Sequence, residues 1–161
     1  MRIFTLESTT EVPRPLEEVF AFHAEADNLQ ALTPPWLDFR IVTPPPIEMR
    51  RGTRIVYRLR VRGIPVGWTS EITAWEPPHR FVDEQVRGPY RLWVHEHVFT
   101  GSGSRTVIRD RVRYAVLFGG LVHWWLVGPD LRRIFTFRHA RLLERFGGDP
   151  GQAARVVLRA G

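Results

Sequence analysis

The sequence contains no cysteine and no lysine, and it has no long uninterrupted apolar run. The absence of cysteine excludes disulfides and thiol chemistry, and it favours a reducing compartment. The N-terminal stretch MRIFTLESTT lacks the apolar core of a signal peptide. The longest apolar stretch, residues 115–128, is interrupted by Gly119, Gly120 and His123 and is too short to span a bilayer. We therefore expect a soluble, cytoplasmic protein.

All 23 basic residues are arginine, and the net charge is +6. A basic chain can bind nucleic acid, but these arginines are spread out and form no compact run. RNA-binding aromatic motifs and phosphate-binding glycine loops are also missing. We therefore expect no nucleic-acid partner. Strand alternation instead places a row of arginines on an outer sheet face, solvated or paired with acids such as Glu71 and Glu84. The row comprises Arg54, Arg58, Arg60, Arg62, Arg109, Arg111 and Arg113.

Residues 129–146 are predicted to form one long amphipathic helix, which Gly147 can close in a left-handed conformation. Arg138 lies in the middle of its apolar arc, and His139 lies near the edge of that arc. A polar group on a buried face needs partners, so other parts of the chain must supply them. The apolar arc consists of Leu131, Ile134, Phe135, Leu142, Leu143 and Phe146.

Most of the chain before this helix alternates between apolar and polar residues, as strands do. Two helices are predicted after the first strand, one beginning at Pro15 and one over residues 26–32. This order indicates a single α+β domain over residues 1–147, followed by a partly ordered tail at 148–161. Strands are predicted at 3–12, 39–43, 53–62, 66–75, 80–87, 91–100 and 105–116.

Four segments carry a more specific signal: VPRPLEEVFAF (12–22), GPYRLWVHEHVF (88–99), DRVRY (110–114) and LRRIFTFR (131–138). Over residues 3–146 the sequence resembles the START-like superfamily, also called SRPBCC, and its small bacterial polyketide cyclase-like or coenzyme Q-binding-like members. The resemblance implies the helix-grip fold, a curved seven-stranded antiparallel sheet around the C-terminal helix with an apolar cavity between them. Because this fold hosts carriers, enzymes and sensors, it does not define the function.

Alternation also predicts a set of polar side chains inside the sheet. Asp110 shares a face with apolar residues of its strand, and Arg138 points from the helix toward the same space. If Trp93 faces the helix, then His95 and His97 face it too. The apolar residues Leu92, Val94 and Val98 favour the opposite phase for this strand. On the preceding strand, Asp83 shares a face with Phe81.

Several roles fit this polar set. Arg138 can pair with Asp110 or Asp83 in a structural network, because an unpaired buried charge is costly. The same groups can orient a ligand in an apolar pocket. As catalytic candidates, His95, His97, Asp110 and Arg138 could provide general acid–base chemistry and steady an oxyanion. His95-x-His97 could also contribute to a metal site, but the sequence indicates no third ligand. We therefore expect neither a metal nor a cofactor.

The apolar segment at residues 117–128 also allows several interpretations. Its glycines could make a flexible gate before the helix, and Trp124-Trp125 suit an apolar/water interface. The segment could touch a membrane peripherally or form a homodimer contact. We favour the simpler interpretation, in which it packs as the first turns of the long helix with a kink at Gly128-Pro129.

The favoured hypothesis is a carrier or sensor that binds a lipid, an isoprenoid quinone or a polyaromatic molecule in the cavity. One alternative is a polyketide cyclase or dehydratase-like enzyme that uses the interior polar set. Another is a protein-interaction module. The predicted ligand contacts are Tyr57, Trp68, Phe81, Asp83, Trp93, His95, His97, Phe99, Ile108, Asp110, Tyr114, Ile134, Phe135 and Arg138.

Overall fold

One antiparallel sheet curves around a long C-terminal helix in the computed structural model, which describes all 161 residues. Its strands are β1 (Phe4–Val12), β2 (Arg40–Ile41), β3 (Arg54–Val61), β4 (Ile64–Glu76), β5 (Arg80–Arg87), β6 (Leu92–Ser102), β7 (Arg105–Ala115) and β8 (Arg155–Ala160). Its helices are α1 (Leu16–Ala24), α2 (Asn28–Ala31), α3 (Gly119–Val122) and α4 (Gly128–Phe146), with a 3₁₀ turn at Pro35–Leu37 and a π-helical turn at His123–Val127. This is the predicted helix-grip architecture.

The sheet has eight strands, in the order β2-β3-β4-β5-β6-β7-β1-β8, so the expected count of seven is corrected. The additional strand, β8, lies in the stretch predicted as a C-terminal tail. It pairs antiparallel with β1, from Phe4↔Ala160 to Thr9↔Arg155. Val156 and Leu158 pack against the core from this strand. Pairing with β1 satisfies backbone groups that the open edge of the sheet would otherwise expose, and this long-range partner is invisible in the local sequence.

Alternation along the strands sets which side chains face inward. In β1 and β7 every second residue is buried, and the register Leu6↔Val112 aligns the two buried rows. Such alternation is typical of an antiparallel sheet with one covered face. The inward row of β7 consists of Thr106, Ile108, Asp110, Val112 and Tyr114.

The helices α1 and α2 lie between β1 and β2 in sequence, as predicted. Pro15 precedes the first residue of α1, where its fixed φ suits a helix start. Glu17 and Glu18 occupy the first turn, where negative charge complements the helix dipole. Phe20 packs edge-to-face on Phe99 of β6, with the ring centroids 5.3 Å apart. This contact fixes α1 over one end of the curved sheet.

The long helix α4 begins one residue earlier than predicted and ends at Phe146. Gly147 has φ +70°, and its N–H donates to the Leu143 carbonyl, which closes the helix as expected. At the other end, a Cβ on Gly128 would lie 3.0 Å from the His123 carbonyl oxygen. Glycine there lets the preceding π-helical turn pack tightly. None of the helices combines the length and the apolar character that a membrane crossing requires.

The two flanks of α4 have different surroundings. On what we call the packed side, α4 lies directly on β1, β7 and α1. There Leu142, Leu143 and Phe146 contact Phe99 and Ile108 in a continuous apolar core. On what we call the open side, α4 faces β3, β4 and β5 across a cavity. The candidate functional site lies on this open side.

Candidate functional site

A cavity of about 870 Å³ separates α4 from strands β3–β6. Of its 41 lining residues, 27 are hydrophobic. Ligand pockets of about 300–1,000 Å³ with mostly apolar walls hold molecules of drug size. The cavity is therefore large enough to enclose a small organic molecule.

Aromatic side chains form one wall of the cavity. The ring centroid of Trp68 lies 5.2 Å from that of Trp93 and 5.6 Å from that of Tyr90. The indole N–H of Trp68 donates to Ser70 Oγ at 3.0 Å. Edge-to-face packing of this kind holds large rings in fixed positions. This wall therefore offers a rigid apolar surface whose polar N–H is already satisfied.

Two tyrosines add neutral hydroxyl groups to this wall. Burial raises the pKa of the Tyr57 phenol above its usual value, and the negative charge of Asp83 adds to this effect. Burial also raises the pKa of the Tyr90 phenol. Both phenols therefore keep their protons at neutral pH and can donate hydrogen bonds.

A polar cluster forms the wall contributed by β5 and β6. The sheet register places Asp83 beside His95, and His97 faces Phe81 on the same strand pair. His97 Nε2 donates to Asp83 Oδ2 at 2.8 Å, and His95 Nδ1 lies 3.8 Å from that oxygen. The two imidazole rings are stacked obliquely, with centroids 3.7 Å apart. Alternation therefore brings three metal-capable or proton-active groups to one spot on the cavity wall.

Asp110 of β7 lies behind the two histidines. His95 Nε2 donates to Asp110 Oδ1 at 3.0 Å. His97 Nδ1 lies 3.0 Å from the same oxygen without forming a hydrogen bond to it. Arg138 Nε of α4 donates to the other carboxylate oxygen at 3.3 Å. The buried arginine that the helix pattern predicted therefore finds its partner in Asp110.

These contacts move the pKa values of the two histidines in opposite directions. Burial lowers the pKa of His95, and the neighbouring His97 lowers it further. Burial also disfavours charge on His97, but the carboxylates of Asp110 and Asp83 outweigh it and raise the pKa of His97. The two imidazoles of one cluster are thus chemically distinct.

Both carboxyl groups ionise more readily than usual. Burial alone would raise their pKa values. The hydrogen bond from His97 and the nearby positive charges instead lower the pKa of Asp83. The guanidinium of Arg138 and the hydrogen bond from His95 hold the pKa of Asp110 well below its ordinary value. Both acids are therefore anionic at neutral pH.

Most of the residues predicted as ligand contacts lie at the cavity. The phase that places Trp93, His95 and His97 inward is the observed one. Whether these residues contact a ligand stays a prediction. The predicted residues that line the cavity are Tyr57, Trp68, Phe81, Asp83, Trp93, His95, His97, Ile134, Phe135 and Arg138.

The other four predicted contacts, Phe99, Ile108, Asp110 and Tyr114, do not line the cavity. Phe99 and Ile108 are buried on the packed side, under α1 and the end of α4. Tyr114 is covered by Phe4, and its hydroxyl lies 3.0 Å from His123 Nδ1. Asp110 lies behind the histidines. Inward-facing residues of β7 meet α4 directly, so facing inward does not imply facing the cavity.

Arg62 was predicted on the outer face of the sheet, and this prediction is wrong. Its Nη2 and Nε donate to the two carboxylate oxygens of Asp130 on α4, at 2.9 and 3.1 Å. Arg62 occupies the two-residue turn between β3 and β4 with φ +51°, which takes its side chain out of the strand alternation. This ion pair, which the sequence did not indicate, joins the hairpin tip to the helix at the rim of the cavity.

The other outward arginines are exposed, as predicted. Arg54 lies 3.6 Å from Glu71, and Arg111 lies 3.8 Å from Glu7. Glu84, the second acid expected as a partner, forms no ion pair. Exposed pairs of this kind contribute about 0–1 kcal/mol each to stability.

Within the segment at 117–128, α3 and the π-helical turn lead directly into α4, so the structure shows the predicted added helical turns. The kink at Gly128-Pro129 stays a prediction. Buried His123 anchors the segment by stacking on Phe4, with ring centroids 3.6 Å apart. Four of its residues, Leu117, Phe118, Val122 and Val127, also line the cavity. Six of its apolar side chains are exposed: Leu117, Phe118, Leu121, Trp124, Trp125 and Leu126.

Solved structures share this architecture at low sequence identity. The chain is similar to the Zhui aromatase/cyclase from Streptomyces sp. R1128, with 19% identity over 90% of this chain and 94% of that chain and a TM-score of 0.65. It is similar to major latex-like protein 151 from Panax ginseng, with 11% identity, coverage of 91% and 99%, and a TM-score of 0.67. A START superfamily protein from Mycobacterium smegmatis shows 12% identity, coverage of 88% and 99%, and a TM-score of 0.61.

These similarities show that the fold is the helix-grip fold. The family described as polyketide cyclase / dehydrase and lipid transport matches residues 12–142. The chain belongs to this family. No curated protein sequence matches it.

Proposed function

We propose that the protein binds and carries a hydrophobic small molecule in the cavity between α4 and the sheet. The observation that carries this proposal is the 870 Å³ cavity, whose lining is two-thirds hydrophobic. The ligand class is a lipid, an isoprenoid quinone or a polyaromatic molecule. The family description, which includes lipid transport, supports the same class.

The walls of the cavity suggest how such a ligand would lie. Its apolar body would rest on Trp68, Trp93 and Ile134, because these side chains offer rigid apolar surface. A carbonyl, hydroxyl or carboxylate of the ligand would meet the polar wall. Arg138 uses its Nε on Asp110 and keeps other N–H groups for the cavity that it lines. One polar end and a long apolar body are therefore the expected features of the ligand.

The first test is native mass spectrometry of the protein purified from cells, followed by organic extraction and identification of the bound molecules. A stoichiometric hydrophobic adduct is expected. A protein that is empty and also fails to bind quinones, fatty acids or aromatic polyketides in a thermal-shift screen would contradict the proposal.

A pair of variants on one hairpin makes this test specific. Leu59 and Val66 are cross-strand partners that both line the cavity. Replacing both by tryptophan fills the cavity and should lower the bound fraction at least about 10-fold, since overpacking removes the ligand's volume. Val56→Trp is the matched control, because Val56 lies on the same strand but on the outer face. Equal loss in both proteins would argue against binding in the cavity.

A second candidate function is cyclisation or dehydration of a polyketide-like ligand. It is favoured by two imidazole–carboxylate pairs, His95–Asp110 and His97–Asp83, whose imidazoles line the cavity. Positioned imidazoles can transfer protons to and from a bound carbonyl compound.

The two functions predict different results for one variant. With His97→Gln, a carrier keeps its ligand with altered affinity, whereas an enzyme keeps binding and loses turnover. The extracted ligand is incubated with wild-type and variant protein, and its mass is followed for the loss of one water. An unchanged mass with wild-type protein excludes dehydration of that ligand.

A further inference from the structure

The geometry of the polar wall points to a metal site: we propose that Asp83, His95 and His97 bind one divalent transition-metal ion that faces the cavity. Each of the three residues contributes one ligand atom, and these atoms lie within 4.8 Å of one another. From the sequence, only the two histidines were candidate metal ligands, and no metal was expected. The proposed site revises that expectation. This inference does not rest on the proposed ligand binding.

The distances suit a metal ion with small adjustments. Asp83 Oδ2 lies 2.8 Å from His97 Nε2 and 3.8 Å from His95 Nδ1. Tetrahedral coordination with bonds of about 2.0–2.1 Å separates neighbouring ligand atoms by about 3.3 Å. The two observed separations bracket this value. Side-chain rotations of about half an ångström would bring these two separations to the tetrahedral value, and all three ligand atoms lie within 4.8 Å of one another.

The outer nitrogens of both imidazoles lie 3.0 Å from the same carboxylate oxygen of Asp110. The His95 nitrogen that faces away from Asp83 donates to Asp110 Oδ1 at 3.0 Å. The corresponding nitrogen of His97 lies 3.0 Å from the same oxygen. In metal sites, the second nitrogen of a histidine ligand almost always bonds to a carboxylate, a backbone carbonyl or a water, which orients the ring and raises its basicity. Asp110, which Arg138 holds in place at 3.3 Å, takes the position of such a positioning residue.

The local charge favours a cation. With neutral imidazoles, the two carboxylates and the single guanidinium of Arg138 leave one net negative charge in a buried site. A divalent ion would counter this charge.

The ligand set indicates which ions would bind. Two imidazoles and one carboxylate suit Zn²⁺ and Fe²⁺, whereas Mg²⁺ and Ca²⁺ prefer oxygen ligands. All three side chains line the cavity, so the open coordination position faces the space in which an organic molecule would lie. The fourth ligand would then be water or a ligand oxygen.

The experiment uses untagged full-length protein stripped with a chelator and titrated with Co²⁺, an optical probe for zinc sites, and then with Zn²⁺. We expect one Co²⁺ per chain with the visible absorption of a tetrahedral site, and displacement by Zn²⁺. Asp83→Asn and His97→Asn should each weaken Co²⁺ binding more than about 100-fold, because each removes a ligand of the ion. Asp110→Asn should weaken binding about 10–100-fold.

His79→Asn is the matched control, because His79 is exposed and lies outside the cluster. Its affinity should equal that of the wild type. Failure of the wild type to take up stoichiometric Co²⁺ or Zn²⁺, or binding that Asp83→Asn and His97→Asn leave unchanged, would overturn the inference. If the variants fail to fold, X-ray absorption spectroscopy of the Zn²⁺-loaded wild type tests the site instead. A spectrum without imidazole ligands around the zinc would contradict it.

An apolar fluorescent probe measured on the same samples separates this inference from the proposed function. Metal uptake by a protein that binds no apolar probe would support the metal site and argue against the carrier. Apolar binding without metal uptake would reject the metal site alone.

Discussion

The two sides of α4 use the same kinds of residues for different purposes. On the packed side, Leu142 and Phe146 belong to one buried apolar cluster with Phe99 and Ile108. On the open side, Ile134 and Phe135 line a cavity of about 870 Å³. Close packing of the first kind supplies most of the stability of a domain. Side chains that border the cavity contribute less of this stabilisation, and the cavity leaves room for a ligand.

Arg138 lies at the boundary between these two sides. Its side chain is only 7% exposed and lines the cavity, yet its Nε is bound to Asp110. The polar cluster therefore connects a structural ion pair to a wall that faces a ligand volume. This arrangement explains why a structural interpretation and a functional one both fit the same residues.

The largest effect on stability is expected from breaking the ion pair between Arg138 and Asp110. Arg138→Met should lower the free energy of unfolding by about 3–5 kcal/mol, because it leaves the buried Asp110 without its cation. The double variant Arg138→Met/Asp110→Asn should recover more than half of this loss. Urea unfolding at pH 7 measures both changes. A loss below about 1 kcal/mol in the single variant would show that the histidines alone satisfy Asp110.

An effect of similar size on stability contrasts the packed side and the open side of α4 directly. Leu142→Ala should cost about 3–5 kcal/mol, since a fully buried side chain leaves a cavity in a packed core. Ile134→Ala on the same helix should cost about 1–2 kcal/mol, because Ile134 is only partly buried and already borders open volume. Urea unfolding of both variants gives the comparison. Equal costs would mean that the open side closes on the cavity in solution.

Acid should lower the free energy of unfolding through His23, which lines the cavity. Burial, followed by repulsion from Arg138, lowers the pKa of His23 from 6.5 to about 3, and His97 and Asp110 also act on it. The unfolded chain therefore binds a proton below pH 6.5 that the folded protein excludes, so stability falls as the pH drops from 6.5 toward 3. At pH 5 this single group costs about 2 kcal/mol.

The variant His23→Phe removes this titrating group and so isolates its contribution to stability. The difference in unfolding free energy between variant and wild type should shift by about 2 kcal/mol in favour of the variant between pH 7.5 and pH 5. Urea unfolding across this range measures the shift. A difference that does not depend on pH would show that folded His23 accepts its proton normally.

The smallest effect on stability is expected at the rim. Arg62→Gln should change the free energy of unfolding by less than about 1 kcal/mol, because the pair with Asp130 is largely exposed. It should nevertheless release the β3–β4 hairpin from α4 and speed the exchange of an apolar fluorescent probe. Stopped-flow dissociation measures this, with Arg58→Gln on the outer face as the control. Equal rates in both variants would show that the pair does not restrict the cavity.

The sequence by itself determined the strands, the long helix and the facing of many side chains. Alternation of period two placed Asp110 inward, and the helical arc placed Arg138 among apolar residues that demanded a partner. Conversely, the turn geometry at Arg62 overrode alternation, and β8 depended on a partner strand far away in sequence.

Only the tertiary structure decided which inward side chains meet a cavity and which meet α4. Phe99 and Trp93 belong to the same row of β6, yet Phe99 is in the packed core and Trp93 lines the cavity. The sheet register likewise brought Asp83 of β5 beside the histidines of β6. Local patterns define which face a residue occupies, whereas the distance between two packed layers depends on contacts between residues far apart in the chain.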